Sequence, residues 1–378
     1  MKILHTIHCL NKSWGGPSVC TYQLVKALNQ SGTDTDLLSL SSKVKEDCIS
    51  TDPFIKYVEY DARTPLGVSL NFKQFLVDNI NRYDIVHANT IWLWTTHDAI
   101  HVAKEQNKPV VLSLHGMLYP QALQVSRWKK KLVLPLFQRN DLRRADVLHA
   151  TSMAELKSIR DFGLTQPVAV LPNGIEIDTM PTMRQQGNKI RHFGFIGRIN
   201  RIKNIDTLLD AWATLGNKTS MCKLSIIGSD DVVYENELRQ FVKDKHLDNV
   251  EFAGFLSGEQ LSQATRELDY LILPSKSENF GMVVIEALAN GVPVIASTGT
   301  PWEELNLHRC GWWVDCTTDT LVKTLAEAID LQESDRIKMG HNGQMLVERN
   351  YTIREIAMKF KQLYEWIYGN GLKPNFVF

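Results

Sequence analysis

The sequence predicts an α/β protein made of two parallel-sheet units, and three observations carry that reading. Short β-rich apolar runs alternate with helix-period stretches from end to end. Several runs are continuously apolar, as strands covered on both faces must be. The alternation stops once, in a polar, aperiodic stretch from 178 to 189 that holds a Pro and a Gly, and then restarts. A chain of 378 residues, set against a typical domain of ~150, also gives two domains.

In order, the first half offers strands at Lys2–Leu10, Asp36–Leu40, Ile55–Tyr60, Ile85–Ala88, Val110–Leu114, Val147–Ala150 and Val168–Leu171. Helical stretches such as Ser18–Gln30, Ser69–Asn81 and Thr96–Gln106 lie between them. Strand, helix, strand in repetition means βαβ units and a parallel sheet. After the break, His192–Ile196, Lys223–Ile227, Val250–Phe252, Tyr270–Leu273 and Val292–Ala296 read as strands. Asn204–Leu215, Asn236–Lys245, Gly281–Ala289 and Thr318–Leu331 read as helices, and 333 to 369 reads as helical throughout. The predicted layout is 1–189, 190–350 and a final segment 351–378. Two sheets facing across a cleft would bind ligand there, at the carboxyl ends of their strands.

Composition narrows the function. Lys+Arg and Asp+Glu are 42 each, which argues against a general nucleic-acid binder while leaving room for a local basic patch. The six cysteines (Cys9, Cys20, Cys48, Cys222, Cys310, Cys316) form no C-x-x-C pair, and no histidine cluster completes a zinc pattern. Scattered cysteines fit a reducing cytosol. The first ten residues read as a strand rather than a leader, and no apolar run approaches the ~18 residues of a membrane span. The expected location is cytoplasmic, with any membrane contact peripheral.

Four motifs sit at predicted strand ends. Trp14-Gly15-Gly16-Pro17-Ser18 follows the first strand. It is either a plain turn or a close backbone approach to a phosphate, since Pro17 suits the first turn of a helix. Gly197-Arg198 and Lys203 flank a loop after a strand, as solvated cations or as a cradle for a diphosphate. Ser275 to Ala287 holds a polar loop, Gly281 and a helix start. Glu278 lies in the loop and Glu286 inside a strongly apolar helix, where an unpartnered carboxylate is costly. Carboxylates suit sugar hydroxyls, because one can accept two hydrogen bonds. Val110–Leu114 ends on His115-Gly116, a polar group at the ligand edge. The other ten histidines show no paired spacing and read as structural or surface residues.

Gly197-Arg198 with Lys203, and Glu278 with Glu286 eight positions on, in two α/β units with a Gly-Gly turn after strand one, resemble the retaining GT-B glycosyltransferases. More narrowly, the chain looks like glycosyltransferase family 4, the group 1 glycosyl transferases. Leu171-Pro172-Asn173-Gly174-Ile175 and Glu286 to Ala296 extend the match over nearly the whole chain. The resemblance implies two Rossmann-like domains facing across a cleft, an acceptor side before residue 189 and a donor side after it. It implies that Arg198, Lys203 and Gly16 hold the diphosphate of a UDP- or GDP-linked sugar. Glu286 would take the ribose, and Glu278, Asn279, Phe280, Gly281, Met282 and Val283 the sugar and phosphates. His115 would lie near the sugar's reactive carbon and count, with Glu278, as catalytic. The helix over about 352–368 would cross back onto the first domain. No cofactor and no metal are expected, and no Asp-x-Asp motif is present.

Two departures stand out. Pro17-Ser18-Val19 follow the Gly-Gly turn where many relatives carry a charge, and 298–305 reads Thr-Gly-Thr-Pro-Trp-Glu-Glu-Leu in place of Gly-Gly-x-x-Glu. They point to a subgroup building bacterial surface polysaccharide, O-antigen or capsule. From Arg127 to Arg144 seven cations face one acid, Asp141, with apolar residues interleaved and Pro135 interrupting. The segment is either a solvated helix or a peripheral patch for anionic lipid, through which a lipid-linked glycan acceptor would be reached. The alternatives for function are an epimerase or phosphorylase on the same fold, or a non-catalytic sugar-nucleotide-binding assembly subunit.

Overall fold

A computed structural model describes residues 1–11, 14–41, 48–62, 64–177 and 190–378. The polar stretch expected to link the domains, 178–189, lies outside them. Residues 1–176 with 352–378 form one compact unit, and 177–351 form the other.

The first unit is built on seven parallel strands. These are β1 (Lys2–Cys9), β2 (Asp34–Leu40), β3 (Ile55–Val58), β4 (Ile85–Asn89), β5 (Val110–Ser113), β6 (Val147–Ala150) and β7 (Val168–Val170), in the order β3-β2-β1-β4-β5-β6-β7. β4, β5 and β6 are buried at every residue, which is why they read as unbroken apolar runs. Helices Leu70–Asn79 and Trp94–Glu105 share one core with one face of the sheet. Helices Gly16–Gln30 and Ile353–Ile367 share another on the opposite face. The carboxyl terminus pairs antiparallel with β7: Val168 and Phe378 exchange backbone hydrogen bonds of 3.0 and 2.9 Å. That pairing covers a sheet edge that would otherwise recruit another strand.

The second unit carries six parallel strands, β8 (Arg191–Ile196), β9 (Cys222–Ile227), β10 (Val250–Gly254), β11 (Tyr270–Leu273), β12 (Val294–Ser297) and β13 (Gly311–Val314), in the order β10-β9-β8-β11-β12-β13. In both sheets the strand order reverses beside the first strand, at β1/β4 and at β8/β11. In such doubly wound sheets ligand binds outside the carboxyl ends at that reversal.

Several elements differ from the expected ones. β13 was not expected, because four residues holding a Gly and two Trp lack the β-branched run that marks a strand. The helix Gly258–Arg266 was not expected either. The terminal helix is two helices, Glu333–Asn350 and Ile353–Ile367. The break comes where the Thr352 hydroxyl accepts from Glu355 N–H, so a capping residue restarts the helix inside an unbroken amphipathic pattern. Pro135 does not end the helical run over Arg127–Arg144. A widened turn, Leu134–Gln138, absorbs it.

Candidate active site

At the carboxyl edge of the second sheet, Gly197 follows β8 and Pro274 follows β11, and three loops meet there. Lys276 N–H donates to Ile202 carbonyl at 2.8 Å, and Glu278 N–H to Gly299 carbonyl at 2.9 Å. Gly228, after β9, packs backbone to backbone on Gly197: a Cβ there would lie 1.8 Å from the Gly197 oxygen. Only glycine fits.

This zipped edge brings Lys203 and Glu278 into a direct ion pair, with side chains 12% and 19% exposed. Arg198 is not drawn in. Its side chain is 75% exposed, and its nearest acid is Asp230 at 3.9 Å. Gly281 has φ +82, which suits glycine, and it opens the helix Met282–Ala289 with no side-chain cap. The first-turn N–H groups at Met282 and Val283 are therefore available to an anion. Asn279 and Phe280 sit in the loop just before. Glu286 projects from that helix, and burial pushes its carboxyl above the ordinary range. It has no ion-pair partner among the described residues.

The departure at 298–305 has a structural use. Trp302 is fully buried, and its indole N–H donates to Phe280 carbonyl. Its ring lies 5.1 Å from Phe280 and 5.3 Å from Tyr351. The Tyr351 hydroxyl donates to Glu304. The loop bearing Glu278 is thus held from behind by an aromatic cluster, which no local spacing announces.

At the carboxyl edge of the first sheet, Gly15 and Gly16 lead into helix Gly16–Gln30, and a Cβ at either would meet nothing within 4 Å. His115 follows β5 in the left-handed region, φ +50. Two residues beyond the strand-end motifs hold it there. Glu155, fully buried, accepts from Gly116 N–H and from the backbone and hydroxyl of Thr151. Asn89, at the end of β4, accepts from His115 Nε2–H at 3.2 Å. Asn89 must present its oxygen to His115, because its amide nitrogen donates to the carbonyls of Thr6 and His87. Desolvation and the nearby His149 push His115 down to about 3. It is a neutral ring with hydrogen on Nε2 and a lone pair on Nδ1. A cavity of about 20 Å³ beside it, lined also by Thr21, His149 and Asn173, has room for one water-sized group.

His115 is the end of a longer chain. His149 Nε2–H donates to Leu171 carbonyl at 2.8 Å, which leaves Nδ1 to accept from Ser113 hydroxyl at 2.6 Å. Ser113 then accepts from His87 Nε2–H at 2.7 Å, and His87 Nδ1 accepts from Tyr364 hydroxyl at 2.7 Å. Tyr364 accepts from His5 Nε2–H at 2.9 Å, and His5 Nδ1 faces Asn89 amide at 3.5 Å. Carbonyls anchor both ends, and both anchors dictate the same direction. Every imidazole in the chain is neutral, with one tautomer allowed.

The reading of the other histidines as lacking paired spacing needs correction. His97 and His101 are one helical turn apart, and both face Asp141 from a separate helix.

Two family models cover the chain: Glycosyltransferase Family 4 matches residues 14–179, and Glycosyl transferases group 1 matches 182–345. An uncharacterized 41.2 kDa protein in the cps region of Klebsiella pneumoniae is 26% identical over 80% of this chain and 82% of its own length. The GDP-mannose:cellobiosyl-diphosphopolyprenol alpha-mannosyltransferase of Xanthomonas campestris is 22% identical over 81% and 80%. The crystal structure of Anabaena HepE in complex with UDP-glucose superposes with a TM-score of 0.74 at 19% identity, over 97% of this chain and 100% of that one. Two doubly wound sheets, one under each family model, make the chain a glycosyltransferase of GT-B fold that belongs to family 4, the group 1 glycosyl transferases.

Proposed function

We propose that the enzyme moves a hexose from a UDP- or GDP-linked sugar, with retention at the anomeric carbon, to a lipid-linked glycan in bacterial surface-polysaccharide assembly. The observation that carries the donor half is the Lys203–Glu278 pair at the β8/β11 edge, followed by a helix whose buried Glu286 has no ion-pair partner among the described residues. Lys203, with Arg198 and the N–H groups of Met282 and Val283, takes the diphosphate and stabilises its charge as the sugar departs. Gly16, opening a helix at the carboxyl edge of the first sheet, offers backbone N–H to a phosphate. Glu286 takes the ribose hydroxyls. Glu278, with the Asn279–Phe280–Gly281 backbone, takes the sugar. His115 offers a neutral Nδ1 acceptor to a sugar hydroxyl. Glu155, the carboxylate reaching the His115 turn, is buried and engaged, so it is no nucleophile. Same-face attack, with the leaving phosphate accepting the acceptor's proton, is the route that the family resemblance implies for this reading.

The bound UDP-glucose of the HepE structure supports the donor class. The Xanthomonas relative's named diphosphopolyprenol acceptor, and the cps region of the Klebsiella relative, support the acceptor class. Thermal-shift screening against UDP-, GDP- and ADP-sugars tests the donor. The true donor at 100 times its Kd stabilises by about 2.7 kcal/mol, and Glu286→Ala removes that shift. No shift with any donor contradicts the reading.

A membrane-facing surface belongs to the same proposal. Trp128, Leu132 and Leu136 are 81%, 68% and 76% exposed at helical four-residue spacing. Arg127, Lys129, Lys131, Arg139 and Arg143 are exposed around them, while Lys130 and Arg144 turn inward. Such a stripe suits an anionic bilayer surface at about 1 kcal/mol per cation, with the apolar rings entering the headgroup layer. Flotation with phosphatidylglycerol vesicles should carry the protein upward at low salt and release it as salt rises. Serine at 128, 132 and 136 together should abolish flotation. Protein left at the bottom of the low-salt gradient contradicts the surface.

A further inference from the structure

Away from the strand-end motifs lies a trio that the transfer reaction does not use. Helix Trp94–Glu105 places His97 and His101 on one face, and helix Arg139–Arg144 sets Asp141 against both. His97 Nδ1 is 2.9 Å from Asp141 Oδ1, and His101 Nε2 is 3.4 Å from the same oxygen. All three ligand atoms lie within 4.8 Å of one another. The Asp141 side chain is 1% exposed. His101 Nε2 is covered, and it makes no hydrogen bond among the described residues. Trp94 and Phe137 rings pack 4.6 and 5.1 Å from His97 and keep one side apolar.

We propose that His97, His101 and Asp141 form a binding site for a divalent ion of the zinc class. Two imidazoles and a carboxylate are the donor set of zinc, cobalt and nickel, whereas magnesium and calcium want oxygen alone. Ligand atoms held ~2.0–2.2 Å from a tetrahedral zinc stand about 3.3–3.5 Å apart. The 2.9 and 3.4 Å separations need only small adjustments. Three protein ligands leave the fourth position to water. The ion would tie helix Trp94–Glu105 to helix Arg139–Arg144.

One neighbour opposes the ion. Arg144 donates to His101 Nδ1 at 3.1 Å, which places the ring's hydrogen on Nε2. Metal binding needs the other tautomer, so Arg144, half-buried at its helix end, must turn to solvent. Its charge also repels the ion. Removing it should therefore tighten binding, which a mere surface contact of the ion with histidine would not do.

The test uses full-length, untagged, chelator-stripped protein titrated with Co²⁺ and followed by the visible ligand-field bands of four-coordinate cobalt. One ion per chain is expected, displaced by zinc. Asp141→Asn could disturb folding, so the half-exposed His101 is replaced instead, with circular dichroism as the control for folding. His101→Gln should weaken binding by at least the ~10–100-fold that loss of an outer-shell partner costs, and Arg144→Gln should strengthen it. Absence of cobalt uptake by the unaltered protein overturns the proposal. An unchanged cobalt spectrum and affinity in folded His101→Gln overturns it equally.

Discussion

Lys203→Ala lowers kcat about 100- to 1,000-fold, equal to about 2.7–4 kcal/mol of transition-state stabilisation. Lys203 is the least exposed cation at the donor edge, and charge develops on the phosphate only as the sugar departs. The same substitution leaves Glu278, 19% exposed, without its counter-charge. A partly buried carboxylate so stranded costs about 1–3 kcal/mol of stability. The two effects separate in the double variant Lys203→Met/Glu278→Gln, which removes both charges. It should recover most of the stability and none of the activity. Chemical denaturation and kcat measured on the single and double variants check this. Full activity in Lys203→Ala would remove Lys203 from the transfer step. Arg198, out in solvent, should cost far less when replaced, because water already screens it.

Tyr364→Phe destabilises the first unit by about 2–6 kcal/mol, although it deletes a single oxygen. The loss strands two buried groups at once, His87 Nδ1 as an acceptor and His5 Nε2–H as a donor, each costing about 1–3 kcal/mol. Acid exposes the same chain. Burial lowers His5 to about 3, His149 to about 4 and His87 well below its ordinary value. Their folded values lie below the unfolded value near 6.5, so the unfolded chain takes up protons first. The stability they contribute is complete above about pH 6.5 and is lost as pH falls from there toward 4. Three such groups give up to about 4 kcal/mol per pH unit. Asp98, raised to about 6 by burial, and the buried Glu155, also raised, bind protons earlier in the folded state and offset part of this. His115, lowered to about 3, and His8, lowered to about 4, act in the same sense as the other imidazoles, so stability falls on balance as the medium turns acid. Denaturant midpoints between pH 7 and 4.5 should fall accordingly. A flat profile would mean that the imidazoles are charged in the folded protein.

Why the sheet should hold four polar residues of this kind, where Val or Leu would pack, follows from the direction of the chain. Neutral, single-tautomer imidazoles specify one register between β1, β4, β5, β6 and helix Ile353–Ile367. They end on Asn89, which fixes the nitrogen that His115 presents. The polar band trades stability in acid for a defined hydrogen at the sheet edge.

Much of this was legible in the sequence, for a physical reason. β4, β5, β11 and β12 are buried on both faces and therefore show as apolar runs. Lys203, Glu278 and Glu286 fall in two local segments that a strand end and a helix start bring together. The supporting residues were not legible. Asn89, Glu155 and Tyr364 act on His115 or its chain from other strands and helices, and Tyr364 meets His87 across 277 positions. Trp302 looked like a departure from a motif until its N–H reached Phe280. His97 and His101 gain meaning only when Asp141 arrives from a helix some forty residues on. β13 was hidden because it lacks strand-type residues; the break at Thr352 lies inside a continuing amphipathic pattern, so the family resemblance marked it where periodicity did not.

Mass spectrometry of the purified enzyme incubated with a panel of sugar nucleotides puts the proposed chemistry to trial. One donor should be consumed, releasing its nucleoside diphosphate with transfer of the hexose to a polyprenol-diphosphate glycan, or slow hydrolysis when no acceptor is supplied. Glu286→Ala and Lys203→Ala should abolish that consumption. A panel in which every sugar nucleotide survives intact, with acceptor and folded enzyme present, would contradict donor binding at the Lys203–Glu278–Glu286 edge.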